Sequence, residues 1–375
     1  MKSVYKIKSV VLLFLAGLLT FTAFAGTQKD FTKTIKKEFG ITADGQTVLS
    51  NRYGKVVVNT WDKNRVKIEV RITVRTATEE KAQRVFDQIA VNFTNTPSMV
   101  KAETVINSSK SGWSWSSWVS DMKTDYSIDY EVFMPVTCDL DLSNIYGDAF
   151  IGNTNGQVNM NIKYGNFQAE EIGDALRVNL GYGHGTIVNA KNIEANGSYC
   201  QLRLKKVKDV NLNSKYSKIF IETAGDIRCN TQYDSYQIQT ARDLKNEGKY
   251  DNFEIGHADN LNVISKYSEI KINKLINNAN LDLKYGGMTV NQLAKGFGEI
   301  AINGNYAHFK IKVEDGANYQ VNATADYAGI RYPSSMQVVN EKEKGTYHEV
   351  SGYNGQKGAR SVIKANINYG GLKVW

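Results

Sequence analysis

Proline is nearly absent from this chain, with 3 in 375 residues, and cysteine and histidine are almost as scarce at 3 and 4. Few prolines beside 31 glycines and 21 tyrosines argue against a disordered chain and against a helical one, and for strands. The three cysteines are an odd set. Cys200 follows a tyrosine by one residue and Cys229 precedes one by four, so the two do not share a position in the repeat described below. A disulfide needs α-carbons within about 7 Å, and Cys138, Cys200 and Cys229 are therefore expected as buried or idle thiols. No Cys/His spacing typical of a metal site is present, so no metal or cofactor is expected. The histidines, His184, His257, His308 and His348, share no common neighbourhood that would make a catalytic set. Serine elbows, phosphate loops and paired redox thiols are missing too.

What is present is periodic. Tyr146, Tyr164, Tyr182, Tyr199, Tyr216, Tyr233, Tyr250, Tyr267 and Tyr285 recur every 17 or 18 positions, and Tyr306 and Tyr327 continue at 21. A fixed period of this size marks one supersecondary unit copied along an axis. Six and four residues before the tyrosine the side chain is usually apolar, as in Leu261 and Val263, with polar residues between, as strand alternation requires. After the tyrosine the apolar positions fall at three and five, as in Ile219 and Ile221, and again at eight, as in Val207 and Ala224. This change of parity predicts a corner at the tyrosine, with the small or polar residue after it (Gly147, Gly165, Ser217, Asp234, Asp251) serving the turn. Two short strands and a poorer third side then close one coil. A hairpin meander is the competing arrangement. Against it, hairpin dipeptides do not recur, while like residues recur at like phase, as parallel stacking about 4.8 Å apart demands. The fold class expected is all-β: a parallel β-helix or solenoid of about 17 to 21 residues per coil, with one short capping helix near the N-terminal end.

The chain divides into residues 1–25, 26–135, 136–330 and 331–375. The first reads as an export signal, with Lys2, Lys6 and Lys8, an apolar run from Val10 to Phe24, and the small-x-small site Ala23-Phe24-Ala25. An exported location follows (periplasm, outer surface or medium), without a transmembrane anchor once the signal is cleaved. The formal charge of +8 becomes +5 without the three signal lysines, which points to anionic neighbours. Export makes nucleic acid a poor partner. In the second segment Asn51-Arg52-Tyr53-Gly54 repeats the corner. Thr78 to Phe93 reads as a helix capped by Thr78 with one apolar face, expected as a lid on the open solenoid end. Two alternating strands, Val100 to Ile106 and Tyr126 to Met134, flank a serine-rich loop holding Trp113, Trp115 and Trp118. These tryptophans can stack on sugar rings, or fold back on the solenoid flank. After Tyr327 the rhythm lapses, then returns once at Tyr369, 42 residues on. One coil is expected to be replaced there by a protruding hairpin or loop, with this end as the C-terminal cap.

The Asn51-Arg52-Tyr53-Gly54 corner with Trp61-Asp62, then Val132-Phe133-Met134-Pro135, Leu142-Ser143-Asn144-Ile145-Tyr146-Gly147-Asp148 and the later Tyr-Gly returns, resemble the putative adhesin family of exported bacterial β-strand-repeat proteins. The likeness runs from about Thr47 to the C-terminus and extends to the head domains of autotransporter adhesins. It implies a β-repeat fold and an adhesive or scaffolding role, and supplies no catalytic residues.

Two outward rows are the candidate binding features. Asn161, Asn179, Asn196, Asn213 and Asn230 stand three before their tyrosines; Lys163, Lys215, Lys249, Lys266 and Lys284 stand one before. Stacked asparagines can hydrogen-bond along a sheet. Stacked lysines can draw an anionic glycan or envelope surface, or only keep the surface soluble. The ligand-binding candidates are thus Trp113, Trp115, Trp118, Lys215, Lys249, Lys266 and Lys284. The reading is a non-enzymatic envelope or surface scaffold. A polysaccharide lyase or hydrolase is the alternative, and Asp234 and Asp251, at one phase in adjacent coils, are its best carboxylate pair. An envelope-sensing regulatory partner is a further one.

Overall fold

The computed structural model describes residues 28–107 and 125–375. The segment read as an export signal and the loop with Trp113, Trp115 and Trp118 lie outside the described residues. The chain enters through β1 (Lys29–Gly40), β2 (Gln46–Arg52), β3 (Val56–Trp61), β4 (Arg65–Thr76), α1 (Glu79–Gln88), β5 (Ile89–Thr96), β6 (Met99–Ile106) and β7 (Asp125–Pro135). Coils follow in β8 (Asp139–Ile145), β9 (Ala149–Ile151), β10 (Val158–Lys163), β11 (Phe167–Gly181), β12 (His184–Ser198), β13 (Gln201–Lys215), β14 (Lys218–Gln232) and β15 (Ser235–Lys249). The stack continues in β16 (Asn252–Lys266), β17 (Glu269–Leu293), β18 (Glu299–Val313) and β19 (Tyr319–Arg331). A hairpin of β20 (Gln337–Lys344) and β21 (Tyr347–Asn354) precedes β22 (Val362–Val374).

From β10 to β18 each strand pairs in parallel with the next. The architecture is therefore a parallel β-solenoid and not a meander. Ile221, Ile238, Ile255 and Ile272 are direct vertical neighbours, and all are buried. The rows at three, five and eight after the tyrosine and at six and four before it fill the core, as the alternation predicts. Where a coil has 18 residues, the additional one sits at the far corner. The register slips between Ile172 and Ala175, and between Ala258 and Asn260 against Leu275 and Asn278.

The corner itself is built differently from the expectation. The residue with the left-handed backbone is the tyrosine, not the glycine after it. Thirteen tyrosines have φ between 50° and 62°, and among the described residues no other non-glycine residue has a positive φ. Their rings stack in one column from Tyr53 through Tyr306 to Tyr369 and Tyr327, with centroids 4.6–5.3 Å apart and planes within 10°. The following glycine answers a separate need, close approach. A Cβ on Gly147 would lie 1.9 Å from the carbonyl oxygen of Gly54, and one on Gly165 2.0 Å from that of Gly147.

The two ends depart from the repeat. The helix stops at Gln88, and Ile89 to Phe93 belong to β5, which pairs antiparallel with β6. The β-branched Ile89 and Val91 gain a ladder there that a longer helix would forgo. Thr78 does cap α1, accepting a hydrogen bond from the Lys81 N–H, and Ala82 and Phe86 are buried. At the other end β22 does not close the stack, contrary to the simple reading of a final coil. It inserts between β18 and β19, parallel to both, and Tyr369 lies between the rings of Tyr306 and Tyr327. The hairpin pairs antiparallel onto β19 and forms the outer edge.

The corner geometry yields a test. Tyr216→Ala loses two ring stacks, about 0.5–1.5 kcal/mol each, and keeps the unfavourable backbone. Tyr216→Gly loses the same stacks but relieves that backbone. The glycine variant is expected to be the more stable of the two by about 1 kcal/mol in denaturant unfolding, and equal or reversed stabilities would contradict the left-handed corner.

Candidate functional site

A groove of about 920 Å³ lies on the outer face of the side that leads into the tyrosine corner. It arises from the repeat. Residues two before the tyrosine point inward and are small in the middle coils (Gly197, Ser214, Thr231, Gly248, Ser265), so the floor is low. The rows at three and one before the tyrosine point outward and form the banks, and Tyr164 and Tyr182 stand at the rim. The groove crosses the coils from Asn161 to Lys284, a run of roughly 34 Å at a coil rise of ~4.8 Å.

The bank rows behave as stacked ladders. Asn196 donates from Nδ2 to Asn179 Oδ1 at 2.9 Å, and Asn213 to Asn196 at 3.2 Å. On the other bank Lys249, Lys266 and Lys284 are direct neighbours in register, and Lys215 reaches them through Gln232. All four lysines are exposed. Like charges in register repel, and among the described residues none of these lysines is in an ion pair. Glu247, on the opposite bank, is engaged instead by Lys245 at 3.4 Å. The groove thus joins a run of amide donors and acceptors to a row of free cations. The tyrosine column offers less. Inside the column the ring faces cover one another, so only edges and hydroxyls meet solvent there.

Asp234 and Asp251 lie in consecutive coils, as their shared phase predicts, but both point inward and are 3% exposed. Their role is to satisfy backbone. Asp234 accepts from the Ser217 N–H at 2.7 Å and the Ser214 hydroxyl at 2.8 Å. Asp251 accepts from the Asp234 N–H at 2.9 Å and the Thr231 hydroxyl at 2.6 Å. Ser217 Oγ and Ser268 Oγ do the same for the N–H groups of Cys200 and Asp251. This explains why the corner glycine gives way to Ser and Asp in the middle coils: the side chain there fills an acceptor position in the coil below. Burial pushes Asp234 up from the ordinary carboxylate range and Asp251 up to about 6. A carboxylate pair enclosed in this way cannot reach a polysaccharide.

The thiols are unpaired and buried, and burial pushes Cys138 up to about 11 and Cys229 up to about 12, so they are poor nucleophiles. Phase reasoning also missed His348. Its partners, Glu341 and Glu343, lie across an antiparallel hairpin, where equal phase carries no information. No helix among the described residues is long and apolar enough to cross a membrane.

No protein-family model matches the chain, and no curated protein does. Among solved structures it is similar to a putative cell adhesion protein from Clostridium sporogenes, at 8% identity over 92% of this chain and 99% of that one, with a TM-score of 0.19. It is similar also to a putative lipid binding protein from Parabacteroides distasonis (12% identity, 92% and 97% covered, TM-score 0.27). A third is a putative adhesin from Bacteroides fragilis (10% identity, 92% and 97% covered, TM-score 0.18). At these identities and scores the likenesses do not bear on ligand or activity.

The buried acid gives a pH test with a definite sign. A carboxyl whose pKa is higher folded than unfolded binds protons more tightly in the native state, so its contribution is complete below about pH 4 and is lost as pH rises through about 6. Relative to Asp251→Asn, the parent chain is expected to lose roughly 2 kcal/mol of stability between pH 4 and pH 7. Parallel stability curves for the two proteins over that range would show that Asp251 titrates normally.

Proposed function

We propose that this chain is a non-enzymatic, exported β-solenoid that acts as a surface adhesin or scaffold and holds an extended anionic glycan along the groove. The observation that carries this reading is the in-register row Lys249, Lys266 and Lys284, continued at Lys215, none of which is in an ion pair among the described residues. An anionic polymer lying across the coils relieves the repulsion within that row. In the coils before Lys249 its hydroxyls and carboxylates meet the amides of Asn179, Asn196 and Asn213 on the opposite bank, while the bank facing Lys249, Lys266 and Lys284 holds Glu247, Ile264 and Asp282. The rigid coil spacing presets the positions of these groups, so little ordering is needed on the protein side.

Export rests on the first 25 residues, and the adhesin or scaffold role on the Tyr-Gly corner resemblance and the solenoid itself. A lyase or hydrolase would need accessible clustered carboxylates, and the pair best placed in sequence is enclosed.

Polygalacturonate is a suitable probe, with neutral dextran as the control. The purified chain is expected to bind the polyanion and not the dextran, more weakly as salt rises. The combined variant Lys215→Glu, Lys249→Glu, Lys266→Glu and Lys284→Glu is expected to bind at least tenfold more weakly. Undiminished binding by that variant, with loss of binding on replacing Trp113, Trp115 and Trp118 by alanine, would move the site to the tryptophan loop. Turnover of the polymer would favour the enzyme reading.

A further inference from the structure

We propose that the β20–β21 hairpin carries a divalent transition-metal site of the Zn2+ type, with Glu341, Glu343 and His348 as ligands. The antiparallel register sets Glu343 directly opposite His348, and Glu341, two residues away along β20, shares that face by strand alternation. His348 Nε2 lies 3.0 Å from a Glu341 carboxylate oxygen and 3.7 Å from one of Glu343. One ligand atom from each of the three falls within 4.8 Å of the other two, and among the described residues no other group of His, Cys, Asp and Glu meets in this way. The Tyr332 hydroxyl donates to the same Glu341 oxygen at 3.0 Å, which fixes that carboxylate toward the histidine.

Ligand bonds of about 2.0–2.2 Å put neighbouring tetrahedral ligands about 3.3–3.6 Å apart, so small side-chain shifts from the observed separations admit the ion. One imidazole nitrogen with two carboxylates suits Zn2+ or a neighbouring transition metal better than calcium or magnesium, which take oxygen ligands. Three protein ligands leave a coordination position open toward solvent. The site also has a structural consequence. β20 is exposed along its whole length and pairs only with β21. An ion held by two of its carboxylates and by His348 ties that edge strand to β21, and through β21 to β19.

The test is a calorimetric titration of the purified full chain with ZnCl2 and separately with MnCl2, joined to anomalous diffraction at the zinc edge. One zinc per chain is expected, with its anomalous peak between the three side chains. His348→Ala and the near-isosteric Glu341→Gln are each expected to weaken binding at least tenfold. Lys342→Ala, whose side chain projects from the other face of β20, is expected to leave it unchanged. Circular dichroism on each variant separates loss of the site from loss of the hairpin. Binding that His348→Ala and Glu341→Gln leave intact, an anomalous peak at His184, His257 or His308, or no binding of either metal would overturn the proposal.

Discussion

A left-handed backbone at a bulky L-residue costs about 1–2 kcal/mol, and thirteen tyrosines in this chain adopt it. Each ring in the interior of the column touches two others, and a stacked aromatic pair gains about 0.5–1.5 kcal/mol. The two quantities are of the same size, so neither the corner nor the stack stands without the other. A single coil has no reason to keep its tyrosine in that conformation, whereas a coil laid on a finished neighbour gains a ring to stack on. The corner is therefore a nearest-neighbour interaction of the kind that makes repeat proteins cooperative along one axis. It also explains the choice of residue. The ring is close to half exposed along the column, as in Tyr216 at 48%, and tyrosine offers a broad face to its neighbours and a hydroxyl to water.

That constraint decides where a ligand can sit. With ring planes nearly parallel and in contact, the faces that would otherwise receive a sugar are occupied by other tyrosines. What the corner provides is a wall. The left-handed turn throws the ring outward beside a strand whose preceding inward residues, in the middle coils, are glycine, serine and threonine, and the depression there runs from Asn161 to Lys284. The groove is thus a by-product of the same repeat that builds the core. Its banks inherit the coil spacing, which is why like side chains recur along them at regular intervals.

The period, the inward rows and the stacked asparagines were legible because each depends only on phase, and parallel stacking turns phase into position. Other features depend on which way a peptide faces, and side-chain pattern is silent about that. Glycine after tyrosine looks like the flexible residue of a turn; the structure gives the left-handed backbone to the tyrosine and uses the glycine for clearance. Asp234 and Asp251 look like turn aspartates, yet they point inward and accept N–H groups in the coil below. A hint existed in the substitution itself: Ser217, Asp234, Asp251 and Ser268 occupy that position in consecutive coils, and each can accept a hydrogen bond. Outside the repeat, phase fails altogether, as it did for the end of α1, for β22 and for His348 with its two glutamates.

The departures at the C-terminal end follow from the problem that any solenoid must solve. A stack that stopped at β18 would leave a 15-residue parallel strand with an open row of N–H and C=O groups, a template for pairing with other chains. Adding β19 directly would only move that edge outward by one coil. Instead the chain leaves β19, makes the β20–β21 hairpin, and returns to fill the space between β18 and β19 with β22. From Tyr319 to Asp326 β19 is then covered by an antiparallel strand, and the outer edge over that stretch belongs to β20, which is 8 residues long. The second half of that edge alternates Glu341, Lys342, Glu343 and Lys344, so another strand approaching it there would have to desolvate charge at every step. The unpaired edge has been transferred from a long apolar coil to a short charged ribbon, at the cost of a threading step that the regular coils do not need.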